Sequence, residues 1–70
     1  MEVDVVRLRT LRRLRAMSQE ELAQESGVGR ATISRIERRE TGAHGRTLRK
    51  VAKALGVDVA ELVKVEGDDG

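Results

Sequence analysis

Apolar residues recur along the chain at helical spacing, in stripes divided by short polar breaks. Val5, Leu8 and Leu11, with Val6 as a further candidate, predict a first helix over Glu2 to Met17, with Leu14 at the edge of its stripe. Within Gln19 to Glu37 two short amphipathic patterns are separated by a break too short for an ordinary loop. Ala23 is small enough to stand where two helices cross, and Gly27 suits the positive φ of a tight reversal. Ile33 and Ile36, one turn apart, face the second helix inward with Leu22 and Val28. The stretch therefore predicts a helix-turn-helix. Leu48, Val51, Ala52 and Leu55 predict a fourth helix over Leu48 to Leu55, and Val59, Leu62 and Val63 supply the apolar surface of a short fifth through about Val63. The expected fold class is all-α, with five short helices in one domain over residues 1–66 and a disordered acidic tail at 67–70.

Boundary residues refine these elements. Ser18 with Glu21 forms a capping box, and Met17 before it is placed to staple onto Leu22. Gly29 is the expected N-cap of the third helix, a weaker one because it has no side-chain acceptor. That helix is expected to run past Glu37 with Gly42 as its C-cap, in preference to ending at a left-handed Arg39. Thr47 is the expected cap of the fourth helix, Gly56 its terminator, and Asp58 the cap of the fifth. The segment Glu40 to Arg46, with two glycines and no proline, is the most flexible interior stretch.

With Ile33 and Ile36 turned inward, Arg30, Ala31, Ser34, Arg35 and Arg38 are left on the outer side of the third helix, with no acid among them. Side chains of this kind reach base edges and phosphates. A plain αα-hairpin explains the apolar spacing equally well, so the outward face is what favours DNA.

Composition narrows the choice. Seventy residues make one small domain, and the absence of aromatic residues leaves a core of Leu, Val, Ile, Ala and Met. Without cysteine there are no disulfides or thiolate ligands, which fits a cytoplasmic location. No apolar run approaches the roughly 20 residues of a membrane span. The net charge of +2 is small, but Arg7 to Lys50 holds twelve Lys and Arg against five acids, a net of +7 between acidic ends. Such a basic middle suits a polyanion. His44 is the only histidine, so no zinc site and no catalytic base with a partner can be assembled around it. Neither an enzyme nor a cofactor is expected.

The segments Leu11–Arg12, SQEELA from Ser18 to Ala23, ISRIE from Ile33 to Glu37 and KALGV from Lys53 to Val57 resemble, in order and spacing, the phage-repressor and Cro-like helix-turn-helix regulators of the Xre family. The resemblance spans about Leu8 to Val63 and implies a lambda-repressor-like domain. It also places Ser18 and Gln19 at the DNA backbone and brings Arg12 and Glu37 together as an ion pair. The sequence departs from the family pattern at Gly29, where Ser is more usual, at Arg39, where Gly is usual, and at Ala43, where Pro is frequent.

The resulting expectation is sequence-specific binding to double-stranded DNA by a transcriptional repressor or regulator, as a homodimer on a palindromic operator. Arg30, Ala31, Ser34 and Arg35 are the expected base contacts; Ser18, Gln19, Arg38, Arg39, His44 and Arg46 are the expected backbone contacts. Val59, Leu62 and Val63 are the expected dimer seam. In the alternative reading the protein is an antitoxin or adaptor that uses this same surface for a protein partner.

Overall fold

A computed structural model describes residues 1–64. Four α-helices, α1 (Val5–Leu14), α2 (Gln19–Ser26), α3 (Arg30–Glu37) and α4 (Gly45–Leu55), are followed by a 3-10 helix (Val59–Leu62). The fold is all-α, with four α-helices and one 3-10 turn instead of five helices. The expected fifth helix is too short for regular α geometry, because Asp58 caps it at Ala60 and the chain is already extended at Val63. The expected tail at 67–70 lies outside the described residues.

One core gathers the inward stripes. Val5, Leu8 and Leu11 of α1 meet Leu22 of α2, Ile33 and Ile36 of α3, and Leu48, Val51, Ala52 and Leu55 of α4, with Leu62 closing one end. Each fully enclosed Leu or Ile removes enough apolar surface from water to contribute on the order of 1.5–3 kcal/mol before entropy costs. Val6 belongs to none of this; it is exposed, as is Leu14.

Helix ends account for most departures from expectation. The first helix is shorter than Glu2 to Met17. Asp4 caps it by accepting from the Arg7 amide, and it closes with the Met17 amide bonded to the Arg12 carbonyl and the Ala16 amide to the Arg13 carbonyl. That paired closure puts Ala16 at φ 52°. The same closure ends α3, with Glu40 bonded to the Arg35 carbonyl and Arg39 to the Ile36 carbonyl. Arg39 thus stands at φ 62°, and α3 stops at Glu37 without extending to Gly42. A left-handed non-glycine residue costs about 1–2 kcal/mol, and here it lets the Arg35 and Ile36 carbonyls accept hydrogen bonds at the helix end. Thr47 is not the cap of α4, which starts three residues earlier than expected, with His44 at its N-cap and no side-chain cap bond.

Residues before α1 are extended. Val3 is buried and pairs antiparallel with Val63 beside the core. Leu62 is fully buried and Val59 and Val63 are half-buried against the same core. The seam expected there is therefore mostly internal surface. No helix among the described residues is long and apolar enough to cross a membrane.

Candidate nucleic-acid interface

The α2–α3 unit is built locally. Ser18 Oγ accepts from the Glu21 amide at 3.0 Å, and Glu21 Oε1 accepts from the Ser18 amide at 2.8 Å, so the capping box is complete. Gly27 takes φ 75° and bonds back to the Ala23 carbonyl, which makes the reversal possible within a few residues. Gly29 then begins α3 with no side-chain cap.

On α3, Ile33, Ile36 and Glu37 are buried, Thr32 and Ser34 are half-buried, and Arg30, Ala31, Arg35 and Arg38 are exposed. Arg35 makes no ion pair among the described residues, whereas Arg30 lies 3.9 Å from Glu20 and Arg38 lies 3.4 Å from Glu40. Both of these pairs are largely solvated, so each contributes about 0–1 kcal/mol and leaves its arginine free to exchange partners. Glu20 as a neighbour of Arg30 is absent from any reading of α3 alone.

Beside Arg35 runs an open groove between α3 and the start of α4, lined by Met1, Thr32, Arg35, Thr41, Gly42, Ala43, His44 and Thr47. The structure thus brings Arg35 and His44 to one place, with Arg46 exposed on the first turn of α4. Arg39 is not among them. It lines a second groove with Glu2, Val3, Val5, Thr41 and Gly42, on the side of an acid.

Glu37 organises the inward face at the C-terminal end of α3. Arg12 Nε donates to Glu37 Oε2 at 2.7 Å and Arg12 Nη2 to Oε1 at 2.9 Å, a two-pronged contact, while Nη1 donates to the Met17 carbonyl at 2.8 Å. Gln19 Nε2 donates to Glu37 Oε1 at 3.1 Å, and Arg9 Nη2 to the Glu37 carbonyl at 2.6 Å. One amide hydrogen of Gln19 is therefore committed inside the protein, and the second remains for an outside acceptor. The Ser18 hydroxyl, although its oxygen already accepts, likewise keeps its proton to donate.

Burial pushes the Glu37 carboxyl up, but the hydrogen bonds from Arg12 and Gln19 and the charges of Arg12 and Arg9 outweigh it, holding the group below its ordinary value. The hydrogen bond to Glu37 raises Arg12 against the opposing effect of burial. The pair stays ionised, and an acid that would otherwise repel a polyanion is neutralised and turned inward.

Arg9 and Thr32 escaped the sequence reading. Arg9 precedes Arg12 by nearly one helical turn, which is the signal that could have placed it at the same acid. Thr32 carries no such mark, because a half-buried threonine looks like any solvated helix residue.

A helix-turn-helix family model matches residues 8–62. The control protein C.SmaI of Serratia marcescens is 36% identical over 66 residues, covering 94% of this chain and 79% of that protein. With the α2–α3 geometry, these matches show that the chain belongs to the Xre-like helix-turn-helix family of DNA-binding regulators.

Proposed function

We propose that the protein regulates transcription by reading a specific duplex sequence as a homodimer on a two-fold operator. The observation that carries this reading is the division of α3: Arg30, Ala31 and Arg35 are exposed while Glu37 is enclosed. A guanidinium on that face can donate bidentately to the N7 and O6 of guanine, so Arg30 and Arg35 are assigned to base edges, with Ala31 and Ser34 at shorter range. Ser18, Gln19, Arg38, Arg39, His44 and Arg46 are assigned to phosphates. The Serratia marcescens relative is a control protein, which supports a regulatory role.

One domain of this size spans too few base pairs for useful selectivity, which favours two copies on related half-sites centred about 34–36 Å apart or a multiple of that. Selection of bound sequences from random duplex DNA tests the reading. An enriched palindrome with two chains per site is the expected result. No enriched sequence would overturn the specific-binding reading, and one chain per site without a palindrome would overturn the dimer.

A further inference from the structure

Among the described residues, the groove wall opposite Arg35, residues 41–43, is attached to distant backbone through one residue, Met1. Ala43 donates to the Met1 carbonyl at 3.3 Å, and Met1 N donates to the Ala43 carbonyl at 3.1 Å. Met1 belongs to a strap that is fixed on its other side to the end of the domain: Asp4 N bonds to the Leu62 carbonyl at 2.9 Å and Lys64 N to the Glu2 carbonyl at 3.0 Å. Val3, buried between them, anchors the strap in the core.

Gly42 shows how close this approach is. A Cβ there would lie 2.6 Å from the Met1 carbonyl oxygen, a separation that forces one backbone to move. Gly42 has no positive φ, so the position needs room and not a left-handed conformation. The Met1 side chain continues over the first turn of α4, its Sδ 3.6 Å from where a Cβ on Gly45 would stand. α4 begins directly after this wall, so the strap touches the segment that leads into His44 and Arg46.

We propose that residues 1–4 are a positioning strap for DNA recognition, with Met1 and Gly42 as positioning residues that fix the distance between the base-reading and phosphate-holding sides of the groove. The inference rests on the DNA reading above. Displacing the strap would remove no cation and change only how the cations stand relative to one another. Selectivity would then fall, while affinity for unrelated sequences, which is set by phosphate contacts, would hold.

Two variants test it. Gly42→Ala pushes against the Met1 carbonyl, and Ala43→Pro removes the amide that donates to it without adding bulk at Gly42. Each is measured against wild type for binding to the selected duplex and to a scrambled duplex across a salt series, with amide exchange at Ala43 in Gly42→Ala and at Lys64 in both. The expected result is about a tenfold loss on the selected duplex, change within about twofold on the scrambled one, an unaltered salt slope, and faster exchange at Ala43 in Gly42→Ala. Equal weakening on both duplexes, or unchanged selectivity with Ala43 exchanging faster, would overturn the proposal. So would retained protection of Ala43 in Gly42→Ala, since the approach would then need no glycine. Loss of helical signal in both variants would also overturn it, by making the strap a general requirement of the fold. Failure of the wild type itself to discriminate the duplexes would remove the DNA reading and this inference together.

Discussion

On the outer face of α3, Arg30 and Arg35 stand in solvent with a single 3.9 Å approach from Glu20 among the described residues, while on its inner face Glu37 is closed in by Arg12, Arg9 and Gln19. The contrast shows what decides an arginine's role here. Arg12 has three nitrogens committed to protein oxygens, whereas Arg35 has no ion-pair partner among the described residues. Charge and residue type are shared; the difference lies in whether the protein already uses the donors. Arg12 ties α1 to α3, whereas the proposed function gives Arg35 to the DNA.

Breaking the enclosed face gives the largest expected effect. Glu37→Ala strands the Arg12 charge in a buried place and should destabilise the fold by about 3–5 kcal/mol in urea denaturation. Arg12→Ala should act similarly, and a double-mutant cycle should show coupling above about 0.5 kcal/mol, additive losses being the contrary result. The same contact predicts acid sensitivity. Glu37 has a depressed pKa in the folded state, so its contribution is fully present above the unfolded value of about 4.3 and is lost as pH falls through the folded value. Stability of the wild type should fall below about pH 4 more steeply than that of Glu37→Gln.

The exposed face comes next. Arg35→Ala should cost about 1–3 kcal/mol on the selected duplex and relax one base position, without measurable loss of thermal stability. Arg46→Ala should weaken all sequences alike and lower the salt slope by about one. A selected sequence unchanged by Arg35→Ala would move base reading elsewhere.

Smaller effects sharpen the comparison at the helix boundaries. Arg39→Gly removes a left-handed side chain and should raise stability by about 1 kcal/mol while deleting one cation. A fall in the melting temperature would show that Arg39 contributes more by contact than it costs in strain. Gly29→Ser should add a few tenths of a kcal/mol by supplying the missing cap. The backbone there, φ −60° and ψ 142°, suits a serine, and its Cβ would meet only Thr32 Oγ1 at 3.8 Å.

What was legible in the sequence was chiefly local. The Ser18–Glu21 box, the left-handed Gly27 and Gly56, and the inward Ile33 and Ile36 each follow from residues within one or two turns. The Arg12–Glu37 contact joins α1 to α3 across the whole of α2, and it is the family resemblance that brings the two residues together. Features decided by distant chain were missed. Residues 2–4 looked like helix until Leu62, Val63 and Lys64 offered their backbone, and Leu62 looked like surface until the core had room for it. The end of α3 was misjudged for a different reason, because glycine preference outweighed the hydrogen bonds that Arg39 and Glu40 make by closing the helix where they do. In the interface, the outward residues of α3 were readable from periodicity, but the bond from Gln19 to Glu37 and the separation of Arg39 from the Arg35 groove needed three dimensions.

The aliphatic core has an optical consequence. With no Phe, Tyr or Trp in the chain, the near-ultraviolet circular dichroism of a complex with duplex DNA comes from the bases alone. Any change on mixing would report base stacking and helical twist in the DNA directly, with no protein signal to subtract. The protein is transparent in the spectral window where its proposed ligand is most informative, so deformation of the operator can be followed without a label.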